Sequence, residues 1–379
     1  MEENSIGLYI HIPFCAARCN YCNFNSSLFD PYLADRYIKA LKKEIEIKSR
    51  DHAGKNIFSI YIGGGTPTIL TEKALEELLT VVKTFFLWEN NIEVTIEANP
   101  GTLSAEKIKI LKESGVTRLS MGVQTFNPVL LKVLGRVHSK EDVYNSFKLA
   151  RKAGFDNINI DLLFSIPGQI YGSWRETLCE AVKLRPEHIS MYGLIYEYGT
   201  SITRKIKQGE LEIVSPDAEF IMYRYGINFL KKRGYRQYEI SNFSIPDREC
   251  KHNLVYWHNK KYLGLGAGAV SYIGERRISN IKNIINYIEK INKKENAGLS
   301  KEYISREKQI KEAIMLNLRL IKGLSKHEFY TRFGIKVDDI WGDTIKRLVS
   351  KKLIIDTPDF LRLTRRGIYL NNDVLIEFI

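Results

Sequence analysis

The first half of the chain alternates between two hydrophobic patterns. Short apolar runs rich in β-branched residues, typical of buried strands, lie at residues 7–12, 57–62, 92–97, 118–123, 157–163 and 188–194. Between these runs, apolar residues recur at helical spacing, as at Leu33, Tyr37, Leu41 and Ile45. Six strands that alternate with helices predict an α/β fold with a parallel sheet, either a barrel or an open doubly wound sheet. In both architectures the functional site lies at the carboxyl ends of the strands.

After residue 200 this alternation ends. The predicted elements are then a helix at 217–233, a strand at 235–241, helices at 281–294, 302–320, 325–333 and 337–350, and a hairpin at 353–356 and 360–364. We therefore predict three units: an α/β unit at 1–205, an extension with a connector at 206–300, and a smaller C-terminal winged-helix-like helical domain at 301–379. DNA binding by the last unit is not favoured, because no predicted helix is rich in side chains that read bases.

The composition of the chain limits the kinds of protein that it can be. Hydrophobic residues make up 44% of the 379 residues, and no apolar stretch reaches the length of a membrane span. The N-terminus lacks a basic segment followed by an apolar run, so we expect a cytoplasmic protein that is at most peripheral to the membrane. The net charge of +13 could attract nucleic acid or an anionic membrane surface, but the lysines are spread along the whole chain. A general compositional bias is the favoured explanation, and no nucleic-acid partner is predicted.

Three of the five cysteines lie in one short loop directly after the first predicted strand. Cys15, Cys19 and Cys22 have the spacing C-x3-C-x2-C. Three thiolates on such a loop can each bind one iron of a [4Fe–4S] cubane, which leaves the fourth iron open to an amino and a carboxylate group, as in S-adenosylmethionine. A disulfide fits poorly, because cytoplasmic thiols stay reduced and the number of cysteines is odd. A zinc site completed by His11 is the serious alternative.

Glycines and isolated polar residues mark the ends of the other predicted strands. The second strand leads into Gly-Gly-Gly-Thr-Pro-Thr at residues 63–68, which is neither a P-loop nor a dinucleotide fingerprint. Adjacent glycines let the backbone approach a ligand closely, although a tight turn is an equally common reason for such a run. Glu97, Gln124 and Asp161 end three further strands, and Arg136 follows Gln124. Because a charged or amide group on an apolar strand is costly unless it is paired, four such groups at one rim favour a ligand pocket.

Several longer motifs carry a family resemblance that covers nearly the whole chain. HIPFC, GGGTPT, IEANPG, SMGVQTF, LGRVH and NIDLLFSIPGQ resemble the oxygen-independent coproporphyrinogen III oxidase-like branch of the radical SAM proteins. This resemblance implies that residues 1–205 form a partial (β/α)6 radical SAM barrel that carries a [4Fe–4S] cluster and S-adenosylmethionine. By motif position, it implies contacts to S-adenosylmethionine from Tyr9, Gly64, Glu97, Gln124, Arg136 and Asp161. Tyr21, Gly65 and Thr66 match positions that line a second such site in the dehydrogenase of this branch.

A second cluster of reactive and aromatic residues lies at residues 250–258, Cys-Lys-His-Asn-Leu-Val-Tyr-Trp-His. Histidine and cysteine thiolate are both common haem ligands, and the aromatic rings could stack on a tetrapyrrole. The residues alone favour a structural aromatic turn. The resemblance changes this interpretation, because residues 252–257 match the HNxxYW signature of the haem chaperones in the branch. It implies haem as bound cargo, His252 as an axial-ligand candidate, and apo-haemoprotein acceptors that could include proteins at the respiratory membrane.

Two departures from the dehydrogenase pattern decide between the members of the branch. Phe24 stands where the dehydrogenase motif continues with a fourth cysteine. Only fourteen residues precede Cys15, whereas the dehydrogenase has an extended N-terminal arm. Both features favour a haem chaperone over an oxygen-independent coproporphyrinogen III dehydrogenase, which carries out a radical SAM oxidative decarboxylation. A nucleic-acid-modifying radical SAM enzyme is a second rival that rests on the positive charge alone. No catalytic residue and no oligomeric state are assigned.

Overall fold

A sheet that begins with six parallel strands is the centre of the structure, a computed structural model that describes residues 5–86 and 92–379. In chain order its first strands are β1 (Ser5–Ile12), β2 (Phe14–Cys15), β3 (Ser27–Leu28), β4 (Asn56–Gly64), β5 (Glu93–Ala98), β6 (Arg118–Gln124), β7 (Ile158–Phe164) and β8 (His188–Gly193). β2 and β3 form a separate small pair in the cysteine loop, while β1, β4, β5, β6, β7 and β8 lie side by side in this order and run parallel. The alternation of strands and helices predicted from the sequence is confirmed.

All but one of the helices of this part begin after a residue whose side chain caps the helix, and the exception begins after Ile170. They are α1 (Pro31–Asp51), α2 (Glu72–Phe85), α3 (Ala105–Glu113), α4 (Pro128–Leu134), α5 (Lys140–Lys152), α6 (Tyr171–Lys183), α7 (Ser201–Lys207) and α8 (Pro216–Lys231), with a 3-10 turn at Pro67–Ile69. Before α1, the Asp30 carboxylate accepts a hydrogen bond from Leu33 N at 2.6 Å, and Pro31 takes the first helical position. The apolar faces of most of these helices pack on the outward-facing strand residues to form the main core, which includes Leu41 of α1, Leu78 of α2 and Ile60 of β4. Helices α4 and α7 pack in a smaller, separate cluster.

The same sheet continues into the region after residue 205. Its elements are β9 (Arg236–Gln237), β10 (Asn242–Ser244), α9 (Lys251–Trp257), β11 (Tyr262–Leu265), β12 (Val270–Ile273), β13 (Arg276–Asn280), α10 (Ile284–Asn292) and β14 (Gly298–Tyr303). β11 pairs in parallel with β1 on the side opposite β4, and β12, β13 and β14 follow it as antiparallel strands. Within the described residues this gives a sheet of twelve strands. The extension is therefore continuous with the barrel sheet across the predicted boundary at residue 205.

Two predicted elements of this region are wrong in detail. The strand predicted at 235–241 is two short strands joined by a turn, in which the buried Glu239 carboxylate accepts from Ser241 N at 3.0 Å and from the Asn242 side-chain amide. The helix predicted at 302–320 begins only at Arg306, because the residues before it pair with β13 as β14. Long-range strand pairing thus overrides the local pattern at both places.

The last part of the chain forms a second core. Its elements are α11 (Arg306–Asn317), β15 (Leu324–Ser325), α12 (Lys326–Phe333), α13 (Val337–Ser350), β16 (Ile354–Asp356), β17 (Phe360–Leu363), α14 (Arg365–Tyr369), α15 (Asn371–Leu375) and a 3-10 turn at Ile376–Phe378. The three strands form a small sheet in the order β15-β17-β16. Phe329, Trp341, Leu361 and Phe378 are among its buried residues. Nowhere in residues 5–86 and 92–379 is a helix long and apolar enough to cross a membrane.

Helix α9, which carries the HNxxYW segment, is held against the inward-facing side chains of β4 and β5. Cys250, the residue before the helix, makes no side-chain cap. The buried Glu93 carboxylate of β5 takes that role instead, accepting from Lys251 N and His252 N at 3.1 Å each. Ser59 Oγ of β4 lies 2.9 Å from His252 Nδ1. The motif helix is therefore fixed to the inside of the barrel by polar contacts.

Candidate metal centre and cofactor pocket

The cysteine loop follows β1 and meets the carboxyl ends of the parallel strands. Cys15, Cys19 and Cys22 are free, partly buried thiols that line one cavity of about 140 Å³, called the inner cavity below. Burial raises the pKa of the Cys15 and Cys22 thiols, so a metal that binds them must displace protons. Three soft sulfur donors that converge on one cavity from a single loop fit the ligand set of a [4Fe–4S] cubane with one open iron.

Gly64 and Gly65 let the cysteine loop lie directly on the end of β4. Gly65 N donates a hydrogen bond to Ile12 O at 2.8 Å. A side chain at Gly65 would lie 2.5 Å from Phe14 O, and one at Gly64, where φ is +116°, would lie 2.5 Å from the His11 ring. Close packing is therefore the reason for these glycines: Gly64 packs on a side chain of β1, and Gly65 packs on the backbone where β1 leads into the cysteine loop. Their contact with a ligand stays a prediction.

Arg136 ties the cysteine loop to the rim of the barrel. Its Nη1 donates to Cys19 Sγ at 3.4 Å, and its Nη2 donates to Asn99 Oδ1 and to Gly122 O. A side chain at Gly122 would lie 2.8 Å from Asn99 Oδ1 and 3.3 Å from Arg136 Nη2, so glycine leaves room for the guanidinium. Arg136 Nε is buried and has no hydrogen-bond partner within the described residues. An acceptor on a bound ligand would satisfy it.

Two carboxylates of the parallel strands line the inner cavity: Glu97 lies near the end of β5, whereas Asp161 lies in the middle of β7 and not at its end as predicted. Glu97 Oε1 accepts from Tyr61 OH at 2.8 Å and Oε2 accepts from Gly64 N at 3.0 Å. Burial raises the pKa of Glu97 to about 7 despite these hydrogen bonds. Asp161 accepts from Asn159 Nδ2 at 2.8 Å, and burial raises its pKa as well. A bound cation or hydroxyl donor would therefore favour the ionised form of both groups.

Gln124 ends β6 in a backbone conformation that non-glycine residues rarely adopt. Its φ is +68°, and the pairing of β6 with β7 shifts register between Gly122 and Gln124. Such strain typically costs about 1–3 kcal/mol and is found at functional sites. At this bend the Gln124 side chain lines the inner cavity.

The structure brings most of the predicted site together and separates one residue from it. Eight of the nine predicted cofactor residues line the inner cavity with the three cysteines: Tyr21, Gly64, Gly65, Thr66, Glu97, Gln124, Arg136 and Asp161. Tyr21, Gly65 and Thr66, which match a second site in the dehydrogenase, line this same cavity. Asn99, Ser120 and Gly122 also line it and were not predicted, although the motifs IEANPG and SMGVQTF contain them.

Tyr9 lines a second, larger cavity of about 550 Å³, called the outer cavity below. Phe24, Gly64 and Glu97 line both cavities, so the two are adjacent. His11 lines the outer cavity, and its ring nitrogens lie 2.9 Å from Tyr9 OH and 2.8 Å from Asn25 O. His11 is thus occupied and is not among the residues around the inner cavity, which gives no support to a Cys3His zinc site.

Asn25 joins the cysteine loop to the extension. Its Nδ2 donates to Ala267 O at 2.9 Å and to Lys282 O at 3.0 Å. A side chain at Gly268 would lie 2.6 Å from Asn25 Nδ2, so glycine at this position leaves room for the cysteine loop to pack closely on the extension. The walls of the outer cavity are therefore linked to each other although they are far apart in sequence.

His252 is buried between the barrel and its own helix. Only 1% of its surface is exposed. Nδ1 lies 2.9 Å from Ser59 Oγ, and Nε2 lies 3.0 Å from Tyr256 OH. Burial lowers the pKa of His252 to about 3, so the imidazole is neutral. Its predicted role as a haem ligand stays a prediction, and ligation would require one of these two hydrogen bonds to be given up.

Two protein families match separate parts of the chain, one in the parallel sheet region and one in the C-terminal core. Residues 9–179 match the radical SAM superfamily, and residues 304–370 match the HemN C-terminal domain. Among individual proteins, the haem chaperone HemW of Bacillus subtilis is 40% identical over 372 residues, which cover 98% of both chains. The haem chaperone HemW of Lactococcus lactis is 37% identical over 379 residues, which cover 100% of this chain and 98% of the relative.

The fold is also that of a solved structure. The coproporphyrinogen III oxidase HemN of Escherichia coli, a radical SAM enzyme, superposes with a TM-score of 0.88 at 26% identity, over 99% of this chain and 90% of that one. The predicted fold class, a partial radical SAM barrel with a smaller C-terminal helical domain, is confirmed. The chain belongs to the radical SAM superfamily, in its oxygen-independent coproporphyrinogen III oxidase-like branch, where it is similar over nearly its whole length to the haem chaperones HemW.

Proposed function

We propose that this protein is a haem chaperone: it binds haem and delivers it to apo-haemoproteins in the cytoplasm or at the respiratory membrane. The observation that carries this proposal is the composition of the cysteine loop. It presents three thiols to the inner cavity and places Phe24, where the dehydrogenase pattern has a fourth cysteine, between the inner and outer cavities. Similarity to haem chaperones along 98% of the chain supports the same assignment.

We further propose that Cys15, Cys19 and Cys22 hold a [4Fe–4S] cluster and that the inner cavity holds S-adenosylmethionine. When bound, the cluster would supply an open iron for the amino and carboxylate groups of that cofactor. Arg136 would fix the loop through Cys19 and offer its unpaired Nε to an acceptor. Glu97 and Asp161 would accept hydrogen bonds from the ammonium or ribose hydroxyl groups.

Replacing Glu97 by glutamine should weaken the binding of S-adenosylmethionine and change its pH dependence. Loss of a hydrogen bond to a charged group costs about 1.5–3 kcal/mol, or roughly tenfold or more in affinity. Before the ligand binds, the pKa of Glu97 is about 7, and hydrogen-bond donors on the ligand favour its ionised form. The affinity of the wild-type protein for S-adenosylmethionine should therefore rise as the pH increases towards this value and then level off. Glu97→Gln should lack this rise. Isothermal titration of cluster-loaded protein between pH 6 and pH 8 (about one unit on either side of neutrality) measures both effects.

The companion variant Asp161→Ala should also bind S-adenosylmethionine about tenfold or more weakly. Asp156→Ala is the matched control, since Asp156 precedes the amino end of β7 and is largely exposed. Unchanged affinity in folded, cluster-loaded Glu97→Gln and Asp161→Ala would count against this pocket.

Two assays on one anaerobic preparation distinguish a haem chaperone from a coproporphyrinogen III dehydrogenase. Haem titration should show saturable binding by its Soret band, and haem should pass to apomyoglobin as an acceptor probe. Coproporphyrinogen III, supplied with S-adenosylmethionine and a reductant, should remain unchanged when the products are separated by chromatography. Decarboxylation at a rate of enzymatic turnover, or absence of saturable haem binding, would overturn the proposal.

The HNxxYW resemblance implies His252 as an axial ligand, but both of its ring nitrogens have partners in the structure, so this role is tested separately and is not part of the proposal. If His252 binds the iron, His252→Ala should shift the Soret band of the bound haem while leaving the cluster content unchanged. Cys250 and His258 flank the same helix and are the nearby substitutes that could replace His252 as the ligand. An unperturbed spectrum would remove the ligand assignment and leave the chaperone function intact.

A further inference from the structure

The outer cavity has a lining that the proposed cluster and S-adenosylmethionine do not account for. Its volume of about 550 Å³ lies within the usual range for small-molecule sites, about 300–1,000 Å³. Four aromatic side chains line it: Tyr9, Phe24, Tyr256 and Tyr262. Apolar groups at Ala269 and Val270 complete one wall. Such a lining suits a large, flat and mainly apolar ligand.

The three tyrosines of the outer cavity are held in place by contacts with other aromatic rings. Tyr256 and Tyr262 meet edge to face, with ring centroids 4.8 Å apart and planes at 75°. Tyr9 stacks on Tyr61, with centroids 6.3 Å apart. Rigid aromatic side chains lose little conformational entropy when they bind a conjugated ring, and each such contact contributes beyond its buried area.

Phe24 and Lys282 are two exposed residues in the lining of the outer cavity, one apolar and one positively charged. Phe24 is 65% exposed, an unusual position for a phenylalanine, and it lies where the outer cavity meets the inner one. Lys282 lines the cavity on an exposed segment, and its ammonium forms no salt bridge with the described residues. Glu97 is the carboxylate among the lining residues, and its two oxygens accept hydrogen bonds from Tyr61 OH and Gly64 N. An anionic group on the ligand would therefore bind near Lys282.

We propose that the outer cavity is the haem site, with the porphyrin ring against Phe24 and Tyr256 and a propionate at Lys282. This inference rests on the proposed chaperone function and assigns its cargo a place. Haem combines the required features, since it has a flat apolar ring and two carboxylates at one edge. Its position beside the inner cavity also puts the cargo next to the cysteine loop, which shares Phe24 with it.

In this arrangement His252 is a positioning residue for Tyr256. His252 lines neither of the two cavities as described, whereas Tyr256 lines the outer one and its hydroxyl lies 3.0 Å from His252 Nε2. Ser59 holds the other ring nitrogen of His252 at 2.9 Å. The histidine of the HNxxYW segment thus fixes the tyrosine of the same segment at the cavity wall.

Haem titration of anaerobic, cluster-loaded variants tests the site. Val270→Trp should fill the cavity and abolish saturable haem binding. Phe24→Ala should weaken haem binding about two- to tenfold, through loss of an aromatic contact. Lys282→Glu should weaken it by up to about tenfold at low salt and less at high salt. Lys293→Glu, with the same change of charge at an exposed lysine outside the cavity, is the matched control and should bind like the wild type.

His252 variants separate positioning from ligation. His252→Gln keeps a side chain that can hydrogen-bond to Tyr256 but is a poor iron ligand, so it should retain haem affinity within about threefold and an unshifted Soret band. His252→Ala should weaken binding without changing the ligand-dependent spectrum.

The chaperone function and the location of the haem site can be disproved separately. If the wild-type protein shows no saturable haem binding, the chaperone function fails. If it binds haem and Val270→Trp, Phe24→Ala and Lys282→Glu all bind like the wild type, with normal iron content and normal binding of S-adenosylmethionine, the outer cavity is not the haem site. A Soret shift in His252→Gln would overturn the positioning role.

Discussion

Replacing any one of Cys15, Cys19 and Cys22 by alanine is expected to abolish assembly of the iron–sulfur cluster. The wild-type chain should bind about four irons and four sulfides after anaerobic reconstitution, because three thiolates suffice for a cubane with one open iron. With two thiolates left, two irons lack a protein ligand and the cluster should not survive desalting. Iron and sulfide analysis, with the charge-transfer absorption of the cluster, measures the loss. It is the largest effect expected of any single substitution in this protein.

Cys179→Ala is the matched control for the cysteine variants. Cys179 is a free, partly buried thiol on α6, and it does not line the inner cavity. This variant should load iron and sulfide like the wild type. If the wild-type chain instead retains one zinc and takes up neither iron nor sulfide, the assignment of the three cysteines is wrong.

Glu93→Ala should destabilise the barrel by about 3–5 kcal/mol, the usual result of removing one partner from a buried charged network. The Glu93 carboxylate accepts from Lys251 N, from His252 N and from the Cys250 thiol at 3.4 Å. The guanidinium of the buried Arg118 also interacts electrostatically with it. Alanine leaves two helix N–H groups and a buried positive charge without this acceptor. A lower urea midpoint with an unchanged slope measures the loss.

Hydrogen exchange locates the same effect within the fold. The amides of Lys251 and His252 should exchange faster in Glu93→Ala, because they lose their acceptor. Glu113→Ala removes an exposed glutamate whose ion pair with Lys109 spans 3.9 Å, and it should change the stability by less than about 0.5 kcal/mol. Equal urea midpoints for Glu93→Ala and the wild type would show that the motif helix does not depend on this cap.

The parallel part of the fold and the inner cavity could be predicted because their signals are local. Each buried strand is a continuous apolar run, and the carboxyl ends of parallel strands meet at one edge. Glu97 and Gln124 lie at the ends of such runs and Asp161 interrupts the next one, so their convergence follows from the topology. The cysteine loop needs no partner from elsewhere to bring its three thiols together.

The extension and the environment of His252 could not be predicted, because they depend on pairs far apart in sequence. Ser59 and His252 are 193 residues apart, and Asn25 and Lys282 are 257 apart. The hydrophobic periodicity of the sequence carries no information about such distant pairs. A histidine beside aromatic residues has the same sequence appearance whether it faces a ligand or a serine of a neighbouring strand. Position within the fold decides between the two.

The pairing of β1 with both β4 and β11 has a consequence for the order in which the protein matures during synthesis. Gly7 is opposite Ser59 on one side and Tyr262 on the other, so a nascent chain that ends before β11 leaves one edge of β1 open. Asn25 Nδ2 likewise lacks its two acceptors, Ala267 O and Lys282 O, until those residues have left the ribosome. Domains generally fold from the N-terminus as they emerge, but here the first strand and the cysteine loop reach their final form only after most of the chain has been made. We therefore expect that the cysteine loop takes up iron and sulfide only after most of the chain has been made.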